Sequence, residues 1–531
     1  MSQSISSTEK ITEKVASQPD SAEVHSVSVG DYIAETRPWY KVKHLRFLSF
    51  CIFVITISST NNGYDGSMLN GLQSLSHWQK TMGHPTGKRL GHLSNGTLFG
   101  AVAALPFVPY FSDRFGRKKV IYVGQILAVV GGILQGVSNG YGFFLVSRII
   151  LGLGTGLAST PSPALISELS YPTHRETCTF AFNICWYLGA IIASWVTYGT
   201  RNIHGKASWS LPSYLQAAMP AIQVCLLWMV PESPRYLVAR GRVEDARKVI
   251  AKLHTGNSTD PRDEALVDFE LREIECALEA ERMNTNVSYF DFIKKKSFRR
   301  RLFLVSFVPV MMQLSGNGLV SYYLVKVLIS IGIKSTKKQL EINGCLMIYN
   351  FVICATMAST VRFFKRRTMF LTCVSGMLLS YVIWTVLSAL NQQRDFKDKS
   401  LANGVLAMIF FFYLFYDIGM NGLPFLYLTE VLPYSHRTMG LNIMQFWTTG
   451  ILIYNGYVNA IAMDAIEWKY YIVYCCILAV ELVVVFFTFP ETSGYTLEEV
   501  AQVFGDEPPE LNKRHADNVV EKQSVEHVEV V

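Results

Sequence analysis

Residues 167–175 read SELSYPTHR, and residues 429–437 read TEVLPYSHR. Each stretch follows a long apolar run, and each places a glutamate and an arginine seven residues apart around a proline. A second pair of similar stretches has nearly the same separation: PES at residues 231–233 and PET at residues 490–492. Two such pairs, each separated by about 260 residues, indicate that the chain contains one structural unit twice.

The apolar runs around these stretches are long enough to be membrane helices. Half of the 531 residues are hydrophobic and only 17% are charged, whereas a typical soluble domain has about 25% charged residues. Because a transmembrane helix needs about 20 mostly apolar residues, the sequence predicts an all-α membrane protein with twelve such helices in two six-helix halves. The helices are expected to begin near Phe47, Leu93, Val120, Tyr141, Cys178, Leu211, Leu302, Ile342, Met369, Ala402, Met439 and Tyr470.

The segments outside the apolar runs give the domain organisation. Residues 1–45 are rich in Ser, Thr, Glu and Val without a hydrophobic core, which predicts a disordered cytoplasmic tail and no cleavable signal peptide. The N-terminal half is expected to cover residues 46–230 and the C-terminal half residues 302–490. Residues 231–301 are charged and favour helix, so they predict a cytoplasmic linker, and residues 491–531 predict a second cytoplasmic tail.

Basic clusters predict the orientation. The net charge is +7, and cationic clusters lie within residues 114–119, 299–301 and 365–367, each at the end of an apolar run. The positive-inside rule makes their side cytoplasmic, and an even number of helices places both tails there. We expect a multi-pass protein of the plasma membrane that contacts the lipid bilayer, binds no nucleic acid and is a monomer.

The reactive residue types argue against an enzyme. The ten cysteines lie mostly inside apolar segments, with no CxxC or metal-like Cys/His spacing, so we interpret them as core residues rather than disulfides or metal ligands. The sequence contains no recognisable nucleophile–base set, metal cluster or nucleotide-binding loop. It therefore predicts no enzymatic activity, no metal and no cofactor.

The short loop between the second and third predicted helices has features of a gate. Residues 113–119 read DRFGRKK. The Asp113 carboxylate could lie at a neighbouring helix N terminus, where the helix dipole favours negative charge, and Gly116 permits a tight turn. The cations could pair with acids at other helix ends. The alternative is a basic loop at the membrane edge.

This loop resembles the signature of the major facilitator superfamily. The stretches RIILGLGTG (148–156), PESPR (231–235) and PET (490–492) are similar to the signatures of the sugar porters within it. The likeness extends from about Phe47 to Phe504.

Two further stretches resemble a narrower group, the fungal lactose permeases and cellodextrin transporters. They are NICWYLG at residues 183–189 and QLSGNGLVSYY at residues 313–323. This resemblance implies a proton-coupled symporter that works by alternating access on a sugar, such as the disaccharides lactose or cellobiose.

Two predicted membrane helices each carry an ionisable residue, Asp65 in the first and Arg148 in the fourth. A charged group in hydrocarbon costs at least about 2.5–3.5 kcal/mol, so each should face a cavity and a partner. One interpretation is a proton switch, in which Asp65 is neutral when protonated and pairs with Arg148 when ionised. The alternative is a static ion pair. The resemblance places both residues at the proton-coupling positions of sugar symporters, and facilitators of the family commonly lack the acid.

Neutral amides and aromatic rings at membrane depth suit a sugar. The candidate sugar-binding residues are Asn183, Gln313, Asn317, Tyr322, Asn350, Phe425 and Trp447. A buried amide without a partner is costly, which favours a place on a cavity wall, although each amide could instead join two helices. The resemblance implies sugar-pocket positions for all of these except Asn317 and Trp447, which are one or two residues out of register. Two other membrane acids, Asp417 and Glu481, are expected to serve only in polar packing.

The candidate gating residues cluster at the cytoplasmic helix ends. They are Asp113, Arg114, Gly116, Arg117, Glu168, Arg175, Glu232, Arg235, Glu430 and Arg437. The resemblance implies that Glu168 with Arg175, and Glu430 with Arg437, form a charge network that is made in one access state and broken in the other.

The second half departs from the family pattern. In residues 361–367 (VRFFKRR), Arg362 stands where the loop usually has its acid and Lys365 where it usually has its glycine. Two alternatives therefore stay open. One is a transporter-like sugar receptor with slow or no transport, and the other is an uncoupled facilitator, against which Asp65 and Arg148 argue.

Overall fold

The chain folds into α-helices joined by short connections, and the part of it that is described contains no β-strand. The computed structural model describes residues 39–283, 288–360, 363–394, 396, 398–433, 436–493, 500 and 503–504.

Ten helices form the first half. In chain order, α1 to α10 are Lys43–Gln73, Ser76–Met82, Gly87–Ala104, Val108–Phe115, Arg117–Val137, Tyr141–Ser159, Pro161–Leu169, Arg175–Thr200, Ala207–Leu215 and Ala218–Leu227. The linker follows, with α11 to α14 at Pro234–Ala239, Val243–Ile250, Pro261–Met283 and Asp291–Lys294.

Eight helices form the second half. In chain order, α15 to α22 are Lys296–Leu314, Asn317–Ser330, Thr336–Thr360, Arg366–Gln393, Lys399–Gly419, Leu423–Val431, Arg437–Ile466 and Tyr470–Thr488. Short 3₁₀ turns lie at Trp39–Lys41, Pro172–His174 and Glu467–Lys469, and a π-helical turn lies at Ala251–Thr255.

Several long helical runs are broken by residues that cannot continue a helix. Pro161 begins α7 directly after α6, and Gly422 precedes α20 after the end of α19. Between α15 and α16, Gly316 has φ +102°, a conformation that only glycine adopts readily. When these three pairs and the pair α9–α10 are each counted as one run, the described chain contains twelve membrane-length runs, as the sequence predicts.

Eight described segments pass a test of length and hydropathy for membrane crossing, and one of them spans both α21 and α22. The runs that fail it are α1, α3 and the pair α9–α10. Polar residues explain the case of α1, which carries Asn61, Asn62 and Asp65. Polar residues also explain the case of α3, which carries Lys88, Arg89 and His92. The segments α9 and α10 have only 9 and 10 residues each.

The two halves repeat the same packing. In the first half α1 packs against α8, and α5 against α6. In the second half α15 packs against α21, and α18 against α19. These helices occupy the same places in the second repeat as α1, α8, α5 and α6 occupy in the first. The halves meet where α3 packs against α21 and α8 against α17.

The linker lies at one end of both halves. His254 is buried, with Nδ1 2.9 Å from the Glu270 carboxylate and Nε2 3.1 Å from the Leu169 carbonyl oxygen, which ties the linker to the first half. Asp291 lies 3.2 Å from His436 Nε2 in the second half, and this hydrogen bond lowers the pKa of Asp291. We call this end of the molecule the linker side and the opposite end the far side.

Two glycines allow α1 and α8 to approach closely. A Cβ on Gly63 would overlap the backbone oxygen of Trp186, and a Cβ on Gly189 would overlap that of Thr60. Small residues at such crossings let membrane helices pack backbone to backbone.

Gly189→Ala is expected to lower the free energy of unfolding by about 1–3 kcal/mol, because the added methyl group forces α1 and α8 apart. Gly199→Ala in the same helix is the matched control, since nothing lies within 4 Å of a Cβ at that position. Thermal unfolding of both variants in detergent measures the difference. Equal unfolding temperatures for the two variants would contradict the close approach.

Candidate functional site

A cavity of about 360 Å³ lies between the two halves, within the range of about 300–1,000 Å³ of small-molecule sites. Its polar lining residues are Ser59, Asn62, Ser67, Asn183, Gln313, Asn317, Ser321, Asn350 and Asn421. Its aromatic lining residues are Phe182, Trp186, Tyr187, Tyr322, Tyr413, Tyr416 and Phe425. None of the described lining residues carries a charge, so the cavity suits a neutral polar molecule.

Six of the seven candidate sugar-binding residues lie on the wall of this cavity. They are Asn183, Gln313, Asn317, Tyr322, Asn350 and Phe425. The seventh, Trp447, is on α21 away from the lining and is 41% exposed, with its ring edge-on to Phe446.

Asn317 is engaged within the protein. Its Nδ2 donates to the Tyr416 hydroxyl at 2.9 Å, and its Oδ1 accepts from Ser321 at 2.8 Å and from Tyr413 at 3.1 Å. The Tyr416 hydroxyl in turn donates to the Met312 carbonyl oxygen at 3.2 Å. Asn317 therefore holds the start of α16 against α19 rather than offering its amide to the cavity.

Other amides of the wall have no such partners. Both polar atoms of the Asn350 side chain are buried without a hydrogen bond. The side chains of Gln313 and Asn183, and the Tyr322 hydroxyl, form no hydrogen bond with another described residue and face the same cavity. A buried polar group without a partner costs about 1–3 kcal/mol, which a bound polar ligand or water would offset.

Asp65 and Arg148 form a buried pair on the far side of the cavity. Arg148 Nη1 donates to Asp65 Oδ1 at 3.1 Å and Nη2 donates to Oδ2 at 3.3 Å. The Asp65 side chain is 11% exposed and the Arg148 side chain 2%. Bidentate geometry of this kind gives the stronger type of ion pair, so each of the two isolated charges has the other as its partner.

Gln216 completes this site and was not singled out from the sequence. Its Nε2 donates to Asp65 Oδ1 at 2.9 Å. Arg148 also donates to the Thr97 hydroxyl at 3.4 Å. The signal in the sequence is a lone glutamine between the apolar segments of α9 and α10, but the sequence does not show which residue it faces.

On the far side, hydrogen bonds join the two halves. The pairs are Gln73 to the Tyr322 carbonyl oxygen at 2.9 Å, Asn95 to the Ile453 carbonyl oxygen at 3.0 Å, Asn343 to Ser194 at 2.9 Å, and Tyr198 to Glu341 at 3.0 Å. The backbone N–H of Gly87 also donates to Asp464 at 2.8 Å. These contacts close the cavity towards the far side.

On the linker side, each half caps one of its own helices with a carboxylate. Glu232 accepts a hydrogen bond from the backbone N–H of Lys118 at 3.1 Å, at the start of α5. Glu491 accepts from the backbone N–H groups of Arg366 at 2.8 Å and Arg367 at 3.1 Å, at the start of α18. A negative group at a helix N terminus is stabilised by the helix dipole, and the two caps are the glutamates of the repeated PES and PET stretches.

The linker-side ion pairs also stay within each half. Arg117 Nε lies 3.4 Å from Glu168, and Arg366 Nη2 lies 3.2 Å from Glu430. Both pairs join a helix start to the end of the neighbouring run. Neither of these two pairs connects one half to the other.

The structure changes the expected geometry of the DRFGRKK loop. The Asp113 side chain is 77% exposed and lies 3.6 Å from Arg117 within its own loop. Glu232, rather than Asp113, occupies the helix N terminus, because the loop directs the Asp113 carboxylate outwards. Gly116 has φ +99°, and a Cβ there would overlap the Glu232 carboxylate, so the glycine is required as expected.

The other candidate gating residues surround this network. Arg114 contributes its carbonyl oxygen, which accepts from Tyr236 at 3.2 Å and from Arg240 at 2.9 Å. Arg175 and Arg235 line a second cavity of about 180 Å³ between the first half and the linker, together with Glu168. Glu168 has its ion pair with Arg117 rather than with Arg175.

In the second half, Arg437 is the first residue of α21. Of the two departures from the family pattern, Arg362 lies outside the described residues. Lys365 has φ −69° and ψ 134°, a conformation open to any residue. The backbone at position 365 therefore does not require a glycine.

Comparison with known proteins identifies sequence relatives along most of the chain. Residues 51–504 match the family described as "Sugar (and other) transporter". An MFS-type transporter from Aspergillus oryzae is 28% identical over 441 residues, which cover 82% of this chain and 80% of that protein. The low-affinity glucose transporter from Kluyveromyces lactis is 26% identical, and the alignment covers 89% of this chain and 85% of that protein.

Solved structures show the same fold. The inward open conformation of the xylose transporter from E. coli matches with a TM-score of 0.70 at 20% identity, over 86% of this chain and 99% of that chain. The crystal structure of a D-xylose-proton symporter matches with a TM-score of 0.65 at 18% identity, over 84% and 98%. The predicted architecture of twelve helices in two six-helix halves is confirmed.

Asn317→Ala is expected to lower the free energy of unfolding by about 1–3 kcal/mol, because it leaves the hydroxyl groups of Tyr413 and Ser321 without their shared acceptor. Asn350→Ala is the matched comparison on the same cavity and should cost less, since its amide forms no hydrogen bond. Thermal unfolding of both variants in sugar-free detergent tests whether Asn317→Ala loses more stability than Asn350→Ala. A larger loss for Asn350→Ala would contradict the assignment of Asn317 to the protein framework.

Proposed function

This chain belongs to the sugar transporter family, and from that premise we propose that it is a proton-coupled symporter that carries a neutral sugar by alternating access. The substrate class that we favour is a disaccharide such as lactose or cellobiose. The observation that carries the proposal is the uncharged cavity between the halves, whose wall presents the amides of Asn350, Gln313 and Asn183 without partners in the protein.

The chemistry of the cavity favours a sugar. Amides both donate and accept hydrogen bonds, as the vicinal hydroxyl groups of a pyranose require. Phe425 and Trp186 supply flat apolar surfaces for the C–H face of the ring. A sugar acid or a sugar phosphate would need a cation in the wall, and the described wall has none.

The buried Asp65–Arg148 pair supports proton coupling. Protonation of Asp65 would break a bidentate pair and leave Arg148 with Thr97 as its hydrogen-bond partner. The free energy of that change can favour one access state over the other. One charge crossing about 100 mV gives about 2.3 kcal/mol, and one pH unit adds about 1.4 kcal/mol. Together they can drive accumulation on the order of several hundred-fold.

The distribution of contacts supports alternating access. The bonds between the halves lie on the far side and around the cavity, while the linker-side ion pairs lie within each half. This arrangement is a state that is open towards the linker side. With the basic clusters on the cytoplasmic side of the plasma membrane, as we propose, the linker and both tails are cytoplasmic and the state is inward-facing.

The test of the function is uptake of radiolabelled lactose, cellobiose and glucose by a yeast strain without its own sugar transporters, with and without a protonophore. Accumulation of a disaccharide that the protonophore abolishes is expected. Uptake that only equilibrates would favour an uncoupled facilitator, and saturable binding without uptake would favour a receptor.

Asp65→Asn is expected to abolish accumulation against a gradient while sugar exchange continues, because an amide at position 65 can neither bind nor release the proton that drives the cycle. Glu264→Gln, on an exposed position of α13, is the matched acid-to-amide control and should accumulate sugar like the parent. Counterflow of labelled sugar measures exchange separately. Undiminished accumulation by Asp65→Asn would exclude the proton switch.

Gln313→Ala is expected to weaken sugar binding by about 1–3 kcal/mol, the free energy of hydrogen bonds lost to sugar hydroxyls. Its effect on thermal stability should be small, because the Gln313 side chain bonds no other described residue. Calorimetric titration with the transported sugar measures the first effect. Unchanged affinity with a lower unfolding temperature would mean that Gln313 joins helices instead.

A further inference from the structure

A third membrane acid, Asp417, bridges the two halves beside the sugar cavity. It lies near the end of α19 and is 3% exposed. Its Oδ1 accepts hydrogen bonds from the Tyr187 hydroxyl at 2.9 Å and from Asn421 Nδ2 at 3.3 Å. Tyr187 belongs to α8 of the first half, so this carboxyl group connects one half to the other.

The cluster forms part of the cavity wall. Tyr187 and Asn421 line the cavity, and Asn421 Nδ2 donates to the Tyr187 hydroxyl at 2.7 Å. Asn421 also lies 2.8 Å from Cys354 Sγ of α17. The second carboxyl oxygen of Asp417, Oδ2, is buried without a hydrogen bond of good geometry, and the Cys354 thiol lies beside this carboxyl group.

Among the described residues, no positive charge compensates this acid. The titratable groups that face Asp417 from its own and the neighbouring helices are the hydroxyl and thiol groups of Tyr187, Tyr349, Cys354, Cys373, Tyr413 and Tyr416. One further acid, Glu481 of α22, lies beyond Cys373. No lysine, arginine or histidine of the described chain pairs with Asp417, in contrast to the Arg148 that neutralises Asp65.

A buried carboxylate without a cation is costly, and its simplest relief is to bind a proton. Oδ2 is the atom that can carry this proton, while Oδ1 keeps its two donors. We propose that Asp417 is a second proton-binding site, and that the proton on its carboxyl group sets the strength of the Tyr187 bridge between the halves.

Loss of the proton strengthens the bridge, because a hydrogen bond to a carboxylate is roughly twice as strong as one to a neutral carboxyl group. Binding of the proton weakens it and releases α8 from the kink between α19 and α20. The change occurs on the wall of the sugar cavity, so proton occupancy and the linker-side opening are linked there. The proposal requires neither a known sugar nor proton coupling at Asp65.

Infrared difference spectra of the full-length protein in lipid nanodiscs, recorded without sugar between acidic and alkaline buffers, test the proton site. A carbonyl-stretch band of a protonated carboxyl group is expected in the parent and in the control variant Glu481→Gln. Glu481 is a suitable control because it is a buried acid that does not connect the two halves. The band should be lost in Asp417→Asn. In Tyr187→Phe, which keeps the acid but removes a donor, the band should persist at a changed frequency.

Alkylation of Cys354 by a maleimide at one fixed pH, read by mass spectrometry, tests the bridge. Asp417→Asn imitates the neutral acid, and Tyr187→Phe removes the bridge. Both should increase the alkylation rate by about threefold to tenfold, the equivalent of one weakened hydrogen bond. Glu481→Gln should leave the rate unchanged. A pH-dependent band that survives in Asp417→Asn, or equal alkylation rates in the parent and both bridge variants, would overturn the proposal.

Discussion

Hydrocarbon offers no hydrogen-bond partner, so every polar side chain in a membrane helix must find its partner inside the protein or in a water-filled cavity. Many buried polar side chains of the described residues find their partners inside the protein. Ser58 is an example, since it bonds Gln223 at 2.9 Å, Gln125 at 3.1 Å and Ser162 at 3.0 Å and so ties four helices of the first half together. The amide of Asn350, in contrast, has no partner among the described residues and faces the cavity. On the cavity wall, this difference separates Asn317, which belongs to the framework, from Asn350, which faces the site.

The duplicated unit gives this framework two rigid parts with a site between them. Glu232 and Glu491 cap equivalent helices, and Arg117 and Arg366 pair with equivalent acids. These contacts hold each half together at the linker side without joining the halves. The bonds that do join them lie on the far side and around Tyr187, so closing one end while opening the other requires changes only between the halves.

Hydropathy and internal repetition were sufficient to predict the twelve runs, because both report directly on the bilayer and on duplication. The pairing of Asp65 with Arg148 was also predictable, since two isolated charges in apolar helices need each other. The sequence could not separate Asn317 from Asn350, because their difference lies in which side chains of other helices reach them. For the same reason it missed the role of Gln216 beside Asp65, and it placed Asp113 where the structure has a different carboxylate.

Protons, as we propose, drive the movement of sugar through the cavity. The most direct measurement uses purified protein in proteoliposomes with an imposed pH gradient and the membrane potential held at zero, and follows radiolabelled lactose, cellobiose and glucose. At least one sugar is expected to accumulate above its external concentration when the interior is alkaline, and this accumulation should collapse when the gradient is removed. Equal internal and external sugar concentrations, whether or not the gradient is present, would contradict this proposal.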